Sequence, residues 1–161
     1  MDSALKEEII SILNEANDMT IAIVRSDGYP QATTVSYASD DLSIYFAAAG
    51  DSQKAGNIAR NNKVSLTVDL PYANWGEIRG LSIGGRAQRL TDHQEIEHAG
   101  LLLLRKFQQG IAEYASGALE GVAFFRIEPE VISVLDYRKG FGHTDLVRVT
   151  GSDQRNAVNS G

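Results

Sequence analysis

Apolar residues along this chain recur with two periods, and each switch between them marks a new element. From Ala4 to Asn17, Leu5, Ile9, Ile12, Leu13 and Ala16 fall at helical spacing, with Lys6, Glu7, Glu8 and Glu15 opposite and Asp2 or Ser3 placed to cap. Met19 to Arg25 is short and β-branched, and the turn formers Ser26-Asp27-Gly28-Tyr29-Pro30 reverse it into Gln31 to Tyr37. Ser39-Asp40-Asp41 turns the chain again into Leu42 to Ala47, which completes an antiparallel meander. Lys63 to Leu70 sets Val64, Leu66, Val68 and Leu70 against Ser65, Thr67 and Asp69, a clean period of two.

After the interruption at Pro71 to Asn74, strand character is expected to resume from Trp75 to Leu90, with Gly80, Gly84 and Gly85 weakening the pleat. Such glycines mark either barrel curvature or a place where something approaches the backbone closely. Asp92 to Gln109 reads as the strongest helix, with Glu95 three residues after the cap and Arg105-Lys106 in the last turn. Its leucine run from Leu101 covers more than one face, which implies burial against a second subunit as well as the barrel. A weaker helix is expected from Gly110 to Glu120, then strands at Val122 to Ile127 and Val131 to Leu135. The expected fold is mainly β within the α+β class: an antiparallel split barrel of about six or seven strands with peripheral helices. It occupies residues 1–150 as one domain, and 151–161 form a polar tail.

Composition removes several classes of function. The net charge of −6 and absence of a basic face argue against a nucleic-acid partner. With no cysteine there is neither a disulfide nor a thiolate metal site. No apolar run near the start reaches membrane-span or signal-peptide length, so a cytoplasmic protein with no membrane partner is expected. His93 and His98 are five positions apart on one helix, off a common face, and no metal site is expected.

The segment with the most chemistry follows the third strand. The chain breaks at Gly50-Asp51 and places Ser52, Gln53 and Lys54 where a helix begins. Free N–H groups, the positive helix end, a hydroxyl and a mobile ammonium together make a seat for a phosphate. The same residues also serve as an ordinary N-cap with a solvated lysine. Near the end, Arg138-Lys139-Gly140-Phe141-Gly142-His143 combines cations, an aromatic ring and an imidazole on a glycine-loosened loop.

The order of several fragments resembles the flavin-binding split barrel of the pyridoxamine 5′-phosphate oxidase-like family. They are Thr20 to Val24 with Asp27-Gly28-Tyr29-Pro30, Leu42 to Phe46, Ser52 to Lys54 with Asn57 to Asn61, Val64 to Val68, and Gly80 to Ala87. The resemblance implies FMN held between two identical subunits, with its phosphate on Ser52, Gln53 and Lys54 and its ring and ribityl chain along Thr33, Thr34, Val35 and Ser36. Trp75 and Arg79 match residues that contribute to the pocket from the partner subunit. The resemblance places a small planar substrate on the exposed ring face, bordered by Tyr29, Tyr37, Trp75 and the Arg138 to His143 loop, with Tyr37, Lys139, Phe141 and His143 as the substrate-side candidates.

The departures limit what carries over. Thr33 and Ala38 stand where the authentic oxidase has an Arg and a Lys, Gly80 replaces a Gln, and the Arg-rich C-terminal substrate motif is missing. Oxidation of pyridoxamine phosphate is therefore not implied. An FMN-dependent oxidoreductase leads; a non-catalytic binder of flavin, deazaflavin F420 or haem, and a dimeric barrel without cofactor, are the alternatives.

Overall fold

In the computed structural model, which describes residues 1–108 and 120–154, one helix precedes four strands that pair as two separate hairpins rather than the expected meander: α1 (Ser3–Glu15), β1 (Asp18–Val24), β2 (Pro30–Ser36), β3 (Ala38–Asp40) and β4 (Ser43–Ala49). Then follow α2 (Gln53–Arg60), β5 (Lys63–Asp69), β6 (Arg79–Arg89), α3 (His93–Lys106), β7 (Val122–Asp136) and β8 (Thr144–Arg148). Short 3-10 turns at Trp75–Glu77 and Tyr137–Lys139 flank β6 and follow β7. The helix expected at 110–120 lies, except for its last residue, outside the described residues, as do 155–161. No helix among the described residues is long and apolar enough to cross a membrane.

The fold is a mainly β, antiparallel split barrel with peripheral helices. All pairings in the hydrogen-bonded order β2-β1-β5-β6-β7-β4-β3 are antiparallel, with β8 added beside β7. β2 and β3 stand at the two ends of that order, yet Tyr37 alone separates them in the chain. The sheet must therefore curl until its ends meet. Since β2 pairs with β1 and β3 with β4, the barrel is split between them.

Tyr37 fills this corner. It is fully buried, its hydroxyl donates to the Leu13 carbonyl at 2.8 Å, and the Lys106 ammonium sits 4.0 Å above its ring. Lys106 also donates to the carbonyls of Leu13 and Ala16, so the end of α3 is tied to the end of α1, where a cation suits the helix dipole. Burial lowers the Lys106 amine to about 8.

Local pattern explains most elements. Asp2 caps α1 by accepting from Leu5 N–H, and Ile9, Ile12 and Leu13 turn to the core. On β5, Val64, Leu66 and Val68 are buried and the residues between them exposed, as the period of two requires. Phe46 and Phe125 stack at 5.0 Å in the centre, each contributing about 1.5–3 kcal/mol through burial. Asp92 caps α3, but only Ala99 of that helix is buried; Leu101 and Leu104 are exposed in the single chain.

Three details depart from the sequence pattern. Trp75–Glu77 is a turn rather than strand, because the Asn74 side chain accepts from Gly76 N–H and Glu77 accepts from Ala73 N–H, which closes the backbone. The two strands expected around Glu128-Pro129 are one strand. Proline is tolerated there because β4 pairs with β7 only as far as Ile127, and β8 pairs with β7 only from Val131, so on that edge Pro129 falls in a gap where no ladder donor is needed. The short β3 and the late β8 were not marked by periodicity, since neither is long enough to show one.

The glycines of β6 serve the barrel. The register against β7 shifts between Gly84 and Gly85, and a Cβ on Gly85 would lie 2.5 Å from the Glu128 carbonyl oxygen. What approaches this backbone is the neighbouring strand, not a ligand. We expect Gly85→Ala to destabilise the fold by about 1–3 kcal/mol in urea unfolding. Gly56→Ala, on the open surface of α2 with nothing within 4 Å, should stabilise it by up to about 1 kcal/mol; equal effects would contradict the close-approach account.

Candidate functional site

Ser52 is the N-cap of α2. Its backbone is extended, its hydroxyl oxygen accepts from Ala55 N–H at 3.2 Å, and its carbonyl accepts from Gly56 N–H at 3.1 Å. The N–H groups of Gln53 and Lys54 are left with no acceptor among the described residues. The Lys54 ammonium is half-buried and has no ion-pair partner among the described residues, and burial lowers its affinity for the proton. Two open amides, a hydroxyl free to donate and a desolvated cation thus converge on one short stretch. An anion would satisfy all of them.

Arg89 adds a charge that sequence reasoning missed. Its Nη1 donates to the Gly50 carbonyl at 3.1 Å, two residues before Ser52. Only the sheet register reveals it: β6 ends beside Phe125, and β7 begins beside Ala49, so the end of β6 reaches the start of α2. A groove of about 430 Å³ runs from Ala55, Ile58 and Ala59 to Arg86 and Arg89.

The four β2 residues differ in availability. The Thr33 Oγ1 is buried with no partner, Val35 is half-buried, Thr34 is exposed, and Ser36 donates to Asp18 at 2.7 Å. In the β3–β4 ladder Ala38 faces Tyr45. Continued back along the chain, that register would set Ser36 opposite Ala47 and Thr34 opposite Ala49, where β4 leads into Ser52. β2 leaves the ladder instead and pairs with β1, so the split in the barrel opens between these residues and the start of α2.

Tyr37 is corrected by the structure. It was expected to border a ligand, but its ring lies in the core and its hydroxyl is spent on Leu13; burial, with Asp18 adding to it, pushes the phenol far above its ordinary range.

At the other end of β7 the remaining candidates do come together. Tyr137 N–H donates to the Ile78 carbonyl at 2.9 Å, joining the two 3-10 turns. Trp75 and Phe141 then meet at 6.3 Å, and Phe141 leans on Tyr137 at 5.4 Å. Arg79 opens β6 opposite Asp136, with its Nε buried and lacking an acceptor. Tyr29 is exposed on the β1–β2 turn and makes no ring contact with this group.

The loop's cations are already paired. Arg138 forks onto the buried Asp136 with bonds of 2.8 and 2.7 Å. Lys139 lies 3.2 Å from Glu8 and 3.5 Å from Asp145, and His143 lies 3.0 Å from Asp145. These contacts pin the loop to α1. The Arg138 fork holds the Asp136 carboxyl well below the usual carboxylate range, and the His143 hydrogen bond lowers Asp145.

A larger groove of about 690 Å³ lies between α3 and β3–β4, beside His98, Glu95 and Arg126. Most of its polar groups are engaged with one another: His98 contacts Asp40 at 3.1 Å, Ser43 donates to Glu128 and Arg126 is ion-paired with Glu95 and Glu128, although the Arg126 Nε is left without a hydrogen-bond acceptor. No group of three or more His, Asp or Glu side chains among the described residues is arranged to hold a metal.

Comparison with known proteins gives a consistent picture. The family model described as pyridoxamine 5′-phosphate oxidase matches residues 5–136. No curated protein matches the chain. Among solved structures, a conserved hypothetical protein from Mycobacterium tuberculosis is 24% identical with a TM-score of 0.75, over 96% of this chain and 95% of that one. A heme-binding protein from Mycobacterium smegmatis is 17% identical with a TM-score of 0.75, over 92% of this chain and 59% of that one. A FAD-binding protein from Mesorhizobium loti is 21% identical with a TM-score of 0.65, over 83% and 94%.

Asp136 should matter to stability in a pH-dependent way. Its carboxyl is depressed in the fold, so its contribution is complete above about pH 4 and is lost as pH falls through the folded value. Asp136→Asn should cost about 1–3 kcal/mol at neutral pH and flatten the acid limb of the melting-temperature profile; an unchanged profile would remove the clamp.

Proposed function

The chain belongs to the pyridoxamine 5′-phosphate oxidase family, and from that premise we propose that it is a flavoprotein binding FMN and acting as an oxidoreductase on a small planar substrate. The observation that carries the reading is the unpartnered, half-buried Lys54 beside the open N–H groups of Gln53 and Lys54 at the Ser52 cap. These donors fit a phosphate monoester, which haem lacks, and that favours a flavin over the haem alternative. The orphaned Thr33 hydroxyl, across the split from them, fits a ring acceptor.

FMN, when bound, supplies the hydride chemistry. The protein's residues supply the rest. Ser52, Gln53 and Lys54 neutralise and fix the phosphate, with Arg89 as a second nearby cation. On the inner face of β2, Thr33 offers a hydroxyl donor next to the apolar Val35 with no fixed charge, while Thr34 lies on the opposite, exposed face.

The site is incomplete in one copy. The phosphate seat adjoins the Val122 end of β7, whereas Trp75 and Arg79 adjoin its Asp136 end. A strand of 15 residues extends about 45 Å, more than a flavin spans. In this reading a second copy brings its own Trp75 and Arg79 to the first copy's seat, and the functional unit is a homodimer.

Titration with FMN followed by flavin absorbance tests the reading. We expect saturable binding, and for Lys54→Ala a dissociation constant raised by about tenfold to a hundredfold, the effect of losing one charge-assisted contact. Absence of binding, or a variant that binds as the parent does, would contradict it.

A further inference from the structure

The groove beside α2 continues the phosphate seat rather than standing apart from it. At its near end is Arg89, whose Nη1 donates to the Gly50 carbonyl two residues before Ser52. At its far end is Asn62, which accepts from Arg86 at 3.3 Å. Ala55, Ile58 and Ala59 form the wall between them, and from Ser52 to Arg60 the helix that carries this wall advances about 12 Å. The groove holds about 430 Å³, within the range of about 300–1,000 Å³ typical of small-ligand sites.

Charge along this path is unevenly spent. Lys54 and Arg89 pair with no acid among the described residues, and Arg89 keeps further N–H groups open beyond the one given to Gly50. Arg86 is paired with Glu130, but both are about half exposed and such a pair is weak. The acids nearby are Glu128, held by Ser43, Arg126 and Gln154, and Asp51, which is exposed to water. The unmet demand is therefore for negative charge, and it is strongest at the seat end. Farther along, the wall is apolar and the side-chain amides of Asn62 and Gln88 border it, a lining that suits a base with donors and acceptors on its edge. Phosphate seat, second cation, apolar wall and amides follow one another in the order in which a nucleotide carries its diphosphate, sugar and base.

We propose that the start of α2 and this groove together bind a nucleoside diphosphate, either free or as one half of a dinucleotide. The outer phosphate takes the open amides and Lys54, the inner phosphate takes Arg89, and the nucleoside lies along Ala55, Ile58 and Ala59. The site shares the phosphate seat of the flavin reading above but does not require a flavin. It lies on the β6 side of α2, whereas the split that receives the ring opens on the β2 side, so ring and nucleoside leave the seat in different directions. In the homodimer of that reading, Arg79 of the second copy, with its Nε lacking an acceptor, adds charge of the sign that a diphosphate needs.

Calorimetric titration of the cofactor-free protein with ADP and with inorganic pyrophosphate tests this, since the two share their linked phosphates and differ in the nucleoside. ADP binding at least about tenfold tighter than pyrophosphate supports the proposal. So does Ala59→Leu, which fills the groove from an exposed position, if it lowers ADP affinity about tenfold while pyrophosphate binds as before. Equal affinities for the two ligands, no saturable binding of either, or an Ala59→Leu variant that binds ADP as the parent does would overturn it. Flavin fluorescence then separates the two sources. FAD bound at least as tightly as FMN assigns the groove to a dinucleotide; FAD bound more weakly than FMN, with ADP displacing FMN, assigns it to a free nucleotide. ADP binding without FMN binding would sink the flavin reading and leave the groove; FMN binding with ADP no tighter than pyrophosphate would do the reverse.

Discussion

At residue 85 the backbones of β6 and β7 come so close that only a hydrogen atom fits between them. The register shifts at that point, the strands bend, and a sheet that would otherwise lie open curls until β2 meets β3. β7 is the axis of this arrangement. One edge pairs with β6 along its length, while the other passes from β4 to β8 on either side of Pro129. Because β6 and β7 run antiparallel, the turn before one and the turn after the other emerge together, and that places Trp75 beside Phe141. At the opposite end the same pairing brings Arg89 to Gly50 and sets the start of α2 beside the sheet. Both candidate regions are thus placed by the way β6 pairs with β7.

Charge is distributed unevenly between these two ends, and this separates their chemistry. At the start of α2, donors outnumber acceptors: two open amides, Lys54 and Arg89 have only the Gly50 carbonyl among them. At the Asp136 end the loop's own charges are paired, with the Arg138–Asp136 fork buried on the carboxylate side, while the neighbouring Arg79 keeps a buried Nε without an acceptor. The first arrangement has unmet demand for an anion; the second presents aromatic surface beside charges that are mostly paired with one another. An anion bound at the start of α2 would accordingly be held less tightly as salt is raised.

Much of this was legible in the sequence, and what was not shares one cause. The period of two in Val64, Leu66 and Val68, the capped helix from Asp92 and the turn formers at Asp27-Gly28 are local signals, and the elements they mark are present. The barrel class followed from the order of those elements. The role of Tyr37 did not, because an aromatic residue at a strand end looks the same whether it closes a core or borders a pocket. Its burial depends on Leu13 and Lys106, remote in the chain. Arg89 was missed for the same reason, and the pairing of Arg138 and Lys139 with Glu8 joins residues more than a hundred positions apart. Sequence periodicity reports which face a residue occupies; it does not report which distant partner meets it there.

The central claim is that the start of α2 holds a flavin through its phosphate. The most direct measurement compares the affinities of FMN and riboflavin, which differ in that phosphate alone, for the unaltered protein. The account predicts FMN binding about a hundredfold tighter, the equivalent of about 3 kcal/mol from charge-assisted contacts. Riboflavin binding as tightly as FMN would show that Ser52, Gln53 and Lys54 hold no phosphate.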